Sequence, residues 1–305
     1  MEIHCGGSAC LSGDGVRFVL IAEQVNVPDI AFVNGQFVPL ADAMVSIDDR
    51  GFQFGDGVYE VIRTYGGRPF ELDTHLTRLD HSAQALDLRQ PYSHQQWSRH
   101  ILEGIKQAAY PEAKVYLQIT RGVAPRDHAY AADLVPTVVM TVREFRPLNP
   151  SVQNAGVEAM TIEDIRWGRC DIKSVNLLAN VLARQQATRA GMFETILVKD
   201  GEVTEGAVSN VMVVRDGAVV TAPEGPRILS GVTRSVVLQL ARQDGLVVHE
   251  RHPAKKELYD AAEVFLTGTT VEVLGVVRVD GKPIGRGMPG PLTRRLAKLF
   301  SERTG

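Results

Sequence analysis

Cys170-Asp171-Ile172-Lys173-Ser174-Val175-Asn176-Leu177-Leu178 puts a single amine at the start of an apolar run. Thirty-two residues beyond Lys173 stands Glu205, in Val203-Thr204-Glu205-Gly206-Ala207-Val208-Ser209-Asn210, a carboxylate on a glycine-broken segment. A lysine that can be desolvated condenses with an aldehyde, and a carboxylate in reach keeps a heteroaromatic nitrogen protonated. Together they are the pair that a pyridoxal phosphate site needs. A Lys and a Glu at such a separation occur in many chains, so the pair takes its meaning from the segments around it.

Outward from Lys173, the pattern predicts a helix over residues 174–190, stopped by Gly191. Strands on either side of Lys199-Asp200-Gly201 read as a hairpin, and Arg215-Asp216-Gly217 opens another. Residues 233–244 read as a helix, 263–267 as a strand, and Asp280-Gly281 as a turn. Upstream, Asn34-Gly35 between two apolar triplets is a hairpin signal. Residues 57–65 read as a strand turned back by Gly66-Gly67. Asp73 is the expected N-cap of a helix carrying Leu76, Leu79, Ala83 and Leu86. Trp97, Ile101, Ile105 and Ala108 mark a second amphipathic helix, and residues 115–119 and 136–142 two more strands. Pro147-Leu148-Asn149-Pro150 interrupts regular structure and is taken as the linker. Strand-rich halves with a few helices argue for an α+β protein. The expected division is a 29–146 N-terminal domain, a 147–150 linker and a 151–305 C-terminal domain.

The chain has 305 residues, 44% of them hydrophobic, enough for two domains with sizeable cores. Its 33 basic and 36 acidic residues are interspersed, for a net charge of -3, and no basic stretch suggests a nucleic-acid surface. Three cysteines, Cys5, Cys10 and Cys170, cannot all pair with one another, which points to a reducing, cytoplasmic setting. No apolar run approaches the ~20 residues of a membrane span. Residues 1–28 are expected to be a flexible extension, with a small extra strand as the alternative. Arg17 comes too late to open a secretory signal ahead of residues 18–22.

Other segments carry candidate chemistry. In Asp49-Arg50-Gly51-Phe52-Gln53-Phe54-Gly55-Asp56-Gly57-Val58-Tyr59-Glu60, no helix pattern follows the glycines, so a Rossmann site is excluded. The glycines suggest a tight path beside something bulky. Tyr59 either points its hydroxyl into a cleft or is a satisfied strand tyrosine. Arg78 projects from the edge of an apolar helix face, where a guanidinium either forks onto a phosphate or meets solvent. Arg126 and His128, in a loop after a strand, either hold a carboxylate or form an ordinary polar loop. No second ligand stands at metal spacing from His128, so no metal is expected. Gly231-Val232-Thr233 opens a helix whose free N–H groups could take a phosphate, helped by the hydroxyls of Leu266-Thr267-Gly268-Thr269-Thr270. A plain threonine-led helix start is the alternative. Cys170 has no activating neighbour and reads as structural.

In this order the strings resemble the D-amino acid transaminases among the fold-type IV pyridoxal phosphate enzymes, which also include the branched-chain aminotransferases. They are residues 49–61, Thr120-Arg121-Gly122 with Pro125-Arg126-Asp127-His128, Glu163-Asp164-Ile165-Arg166-Trp167 with residues 170–178, and residues 203–206 with Ser209-Asn210-Val211. The resemblance runs from about Phe32 to the C-terminus. It implies a smaller N-terminal α/β domain and a larger C-terminal, cofactor-binding domain with a pseudo-barrel. It also implies an amino group transferred from a D-amino acid to a 2-oxo acid.

By that resemblance Lys173 is the Schiff-base lysine and proton carrier, and Glu205 faces the pyridine nitrogen. Arg78, the backbone at Val232 and Thr233, and Thr269 take the phosphate, while Leu229 packs on the ring. Tyr59, Arg126 and His128 trap the substrate carboxylate, the last two reaching in from the partner of a homodimer. Ala207, Val208 and Gly268 depart from the hydroxyl residues of similar enzymes, which opens the question of side-chain preference. The same scaffold serves branched-chain L-amino acid and (R)-amine transaminases and aminodeoxychorismate lyase-type enzymes. A non-enzymatic dimerisation module is the remaining alternative.

Overall fold

A computed structural model describes residues 30–305. The expected extension over residues 1–28 lies outside the described residues. The first half contains β1 (Ile30–Val33), β2 (Gln36–Pro39), α1 (Arg50–Phe54), β3 (Gly57–Tyr65), β4 (Arg68–Pro69), α2 (Leu72–Gln84), α3 (His94–Ala108), β5 (Ala113–Thr120) and β6 (Thr137–Glu144). Its six strands form one sheet in the order β2-β1-β6-β5-β3-β4. Asn34 and Gly35 both take positive φ, 47° and 97°, and make the β1–β2 turn. The helices cover one face. Val58, Ile62, Val115, Leu117 and Ile119 from the sheet bury against Leu76, Leu79, Trp97 and Ile101. Each such side chain contributes roughly 1.5–3 kcal/mol of transfer free energy. Tyr59, Val61 and Tyr116 face the other way, because side chains alternate along a strand.

The second half contains α4 (Pro150–Ala155), β7 (Val157–Glu163), α5 (Leu178–Arg189), β8 (Glu194–Lys199), β9 (Glu202–Gly206), β10 (Asn210–Arg215), β11 (Ala218–Thr221) and α6 (Val232–Gln243). It continues through β12 (Val248–Glu250), α7 (Lys255–Tyr259), β13 (Glu263–Gly268), β14 (Glu272–Val279), β15 (Lys282–Pro283) and α8 (Pro291–Thr304). Eight strands run in the order β12-β11-β10-β13-β14-β7-β8-β9, with β15 added on β14. The sheet curls. The Gly206 N–H donates to Ser209 O at 2.6 Å and brings β9 back beside β10, so the sheet forms a half-closed barrel. Among the described residues no helix is long and apolar enough to cross a membrane.

Three local expectations are corrected. Asp73 is not the cap of α2. Glu71 holds that position with φ 50° and no side-chain cap, and Asp73 stands in the first turn, where an acid favours the helix dipole. The helix expected from Ser174 begins only at Leu178, because residues 173–175 pair with β3 instead. Tyr59 N–H donates to Lys173 O at 2.9 Å and Val175 N–H to Gly57 O at 3.0 Å. The glycine-rich string also contains a helix that its pattern did not predict. Asp49 caps the five-residue α1 by accepting from the Gly51 N–H, and Gly55 ends it at φ 67°.

One polar cluster ties the two sheets together. Arg63 on β3 donates to Glu272 on β14 at 2.5 Å and to Glu112 at 3.2 Å, and the Tyr65 hydroxyl donates to Glu272 at 3.1 Å. Burial, then Glu272, hold the Tyr65 phenol protonated well above its ordinary range. Glu272 sits at φ 55°, a strained position for a residue with a side chain, next to the turn that carries Thr269 and Thr270. Glu272→Ala is expected to lower stability by roughly 1–3 kcal/mol, as for a half-buried charged pair broken on one side. The urea midpoint measures it, and an unchanged midpoint would show that the cluster contributes nothing.

Candidate active site

Between the exposed face of the first sheet and the open end of the barrel lies a cavity of about 910 Å³. That is the size of a site for a small ligand and its cofactor. Lys173 lines it. Its backbone is fixed on both sides, by the bond from Tyr59 and by its own N–H donating to Ser82 Oγ at 3.1 Å. Its Nζ stands 4.4 Å from the centre of the Tyr59 ring, with no ion pair among the described residues. The backbone of Lys173 is therefore fixed, while its amine has no countercharge beside it among the described residues.

Glu205, 5% exposed on β9, lines the same cavity. It accepts a short hydrogen bond from Arg166 Nη1, one from Asn210 Nδ2 at 3.0 Å and one from the Leu229 N–H at 3.1 Å. Burial raises its pKa above the ordinary carboxylate value, and Arg166 opposes the rise. Every partner is a donor, so the group is held as an acceptor. Arg166 is itself clamped by Asp164, with contacts of 2.9 and 2.7 Å. Burial acts to raise the Asp164 carboxyl, but its bonds to Arg166 outweigh it and hold the acid below its usual range.

The other end of the cavity collects anion-binding groups. Arg78 Nη1 donates to Ser230 O at 2.7 Å, just ahead of α6. That helix starts at Gly231 without a side-chain cap, so the first-turn N–H groups at Val232 and Thr233 are free for a ligand. Thr269 and Thr270 stand opposite, and the buried Thr267 Oγ1 has no hydrogen-bond partner. Leu229 lines the cavity between this cup and Glu205. A guanidinium, a helix N-terminus and unclaimed hydroxyls suit a phosphate, while the buried carboxylate suits a ring cation and the amine an aldehyde. The residues present fit pyridoxal 5'-phosphate.

Behind Arg78 lies a network that its place in the sequence did not disclose. Glu60, fully buried, takes Arg78 Nε at 2.7 Å and Nη2 at 2.8 Å, and His75 Nδ1 lies 2.8 Å from it. Burial acts to raise the Glu60 carboxyl, but Arg78 and His75 outweigh it and hold it far below the usual range. Burial pushes the His75 imidazole down. Cys170 also reaches the cavity. Burial pushes its thiol up to about 11, so it stays protonated, consistent with a structural residue.

The structure thus brings together Lys173, Glu205, Arg78, Leu229, Val232, Thr233, Thr269 and Tyr59. It does not bring Arg126 and His128 to the cavity of their own chain. Both pack on Phe54, with the Arg126 guanidinium 5.0 Å and the His128 ring 5.5 Å from its ring centre. Arg50 secures their loop by donating to Asp127 O at 2.6 Å and His128 O at 3.2 Å. Sequence reasoning missed Arg166, Glu60 and His75 as site residues. The available signals were the Asp164-x-Arg166 spacing and the i, i+3 relation of His75 to Arg78.

The fold and site are those of an aminotransferase. Residues 57–279 match the family Amino-transferase class IV, and the chain belongs to it. Over 263 residues it is 45% identical to a D-alanine aminotransferase of Bacillus licheniformis, covering 86% of this chain and 93% of that one. Its fold is similar to the branched-chain amino acid aminotransferase of Escherichia coli, with TM-score 0.85 and 28% identity over 90% and 94% of the two chains. It is also similar to the T.th. branched-chain amino acid aminotransferase solved with pyridoxamine 5'-phosphate, with TM-score 0.82 and 28% identity over 92% and 95%.

Proposed function

We propose that the protein is a D-amino acid transaminase. It moves the amino group of a D-amino acid such as D-alanine to a 2-oxo acid such as 2-oxoglutarate, giving pyruvate and D-glutamate. The observation that carries this reading is the unpaired Lys173 amine in one cavity with the Arg166-backed Glu205 and the anion cup at α6. The similarity to a D-alanine aminotransferase supports the choice of substrate. When bound, pyridoxal 5'-phosphate supplies an aldehyde for the amino group and a protonated ring that draws electrons from the substrate. Lys173 Nζ would take the substrate α-proton and deliver it to the carbon that carried the aldehyde. Glu205 keeps a negative charge where the ring nitrogen needs one. Arg78, the N–H groups of Val232 and Thr233, and the Thr269 hydroxyl hold the phosphate, and Leu229 packs on the ring.

Tyr59 and, from a second copy, Arg126 and His128 hold the substrate carboxylate. The reading is therefore of a homodimer. Exposed apolar side chains on α5, Leu178 and Val181, and in the segment with Met44 and Ile47 support it. The division into a domain over 29–146, a linker over 147–150 and a domain over 151–305 belongs to the same reading. So does a cytoplasmic setting, which the cysteine usage supports.

Purified holoprotein given 2-oxoglutarate should form pyruvate from D-alanine. Reaction with L-alanine alone would overturn the assignment. Arg126→Ala should weaken D-alanine use about 10- to 100-fold, as expected for a lost charge-assisted hydrogen bond, while barely changing reaction with a carboxylate-free amine. Equal losses for both substrates would mean that Arg126 supports folding.

A further inference from the structure

Three cations stand side by side on the cavity face of the first sheet. The strand register pairs Arg63 on β3 with Lys114 on β5, and Lys114 with Arg143 on β6. Side chains directly opposite on neighbouring strands touch, and like charges there repel. Arg63 is neutralised by Glu272 and Glu112, and its guanidinium lies between the Tyr65 and Phe145 rings at 4.2 and 4.3 Å. Lys114 and Arg143 have no ion pair or side-chain hydrogen bond among the described residues. The nearby acid Glu144 is taken by Arg146 at 3.1 Å.

Both unmatched cations line the cavity that holds Lys173. Arg78, Arg166 and Arg184, which line the same cavity, each face a buried carboxylate of their own. The surplus positive charge of the cavity therefore sits at Lys173, Lys114 and Arg143. The first of these is the amine that the chemistry uses. The other two lie one side-chain layer along the same sheet face from Val61, and two from Tyr59. From the Tyr59 position to the Lys114 position is four residues of strand, about 13 Å. A long lysine side chain can lean along the strand direction, and a short acid chain running along the sheet from Tyr59 leads toward it.

We propose that Lys114 and Arg143 form a second anion subsite, which takes the distal carboxylate of a dicarboxylic amino acid or 2-oxo acid. This rests on the transaminase reading above and deepens it. The enzyme then favours four- and five-carbon diacids over neutral substrates of the same length, and binding such a substrate relieves the repulsion across β5 and β6.

The test follows the first half of the reaction, the single-turnover colour change of the holoenzyme on mixing with an amino acid. D-Glutamate is compared with D-glutamine, equal in size but neutral, and with D-alanine, which lacks a distal group. Lys114→Ala and Arg143→Ala should each lower the second-order rate constant for D-glutamate about tenfold, and the double variant further. D-Glutamine and D-alanine should move by less than about twofold. Lys114→Arg should retain most of the D-glutamate rate. An unchanged D-glutamate constant in the double variant overturns the subsite, and so does a parallel fall for all three substrates. Wild-type protein inert to every D-amino acid would remove the transaminase reading, and the subsite with it. Wild-type protein that turns over D-alanine while the variants handle D-glutamate normally would remove the subsite alone.

Discussion

Lys173→Ala should abolish transamination, lowering kcat by at least about 10³-fold, and should remove the visible absorption of the lysine-bound cofactor. Among the described residues no other amine stands at the Tyr59 ring. The cofactor should still bind without a covalent link, because Arg78, the α6 N-terminus and Thr269 do not depend on residue 173. Gel filtration followed by spectroscopy separates these outcomes. A retained absorption band would mean that another amine was modified, and the remaining lysine lining the cavity is Lys114. Loss of the band together with loss of all cofactor would show that the anion cup is too weak to hold a phosphate unaided.

The second large effect is expected at a residue that never touches substrate. Glu60→Gln leaves Arg78 charged, with a partner that can accept but no longer carries a countercharge. Glu60 is fully buried and Arg78 nearly so, and breaking one side of such a pair costs about 3–5 kcal/mol. The pH dependence gives the loss a signature. The Glu60 carboxyl is held below its ordinary value of 4.5, so its stabilising effect is complete above that pH and fades as the pH falls beneath it. The stability gap between wild type and Glu60→Gln should therefore be constant from neutrality down to about pH 4.5 and narrow below. Denaturant titrations at several pH values measure it. A gap that stays flat through the acid range, or is absent at neutral pH, would show that Glu60 is not held as the anion.

What the sequence disclosed and what it concealed divide along the range of the interactions. The Asn34-Gly35 hairpin, the amphipathic α3 and the turn at Asp280-Gly281 depend on neighbours within a few residues, and their patterns were readable. Lys173, Glu205 and Arg78 each had an ordinary alternative when read locally, and their expected roles came from the resemblance; the structure places all three on one cavity. The failures are long-range. Residues 174–177 carry helix-compatible side chains, but the pairing of residues 173–175 with β3, more than a hundred positions away, delays the helix to Leu178. Arg166 and Glu60 sit in strings that look like ordinary charge patterning, and only folding brings their partners to them. Arg126 and His128 show the converse. Their loop was recognisable, but within one chain it packs on Phe54 and leaves the cavity alone.

The backbone bonds that pin residues 173 and 175 to β3 constrain how substrate gains access. Lys173 belongs to the second half by chain order, yet it is stitched to the first, while Glu205 stays with the barrel. Any swing that parted the two sheets would carry the Lys173 amine away from Glu205 or break those backbone bonds. Substrate is therefore expected to enter with the two sheets held together, past side chains and loops at the cavity mouth rather than through an opening jaw.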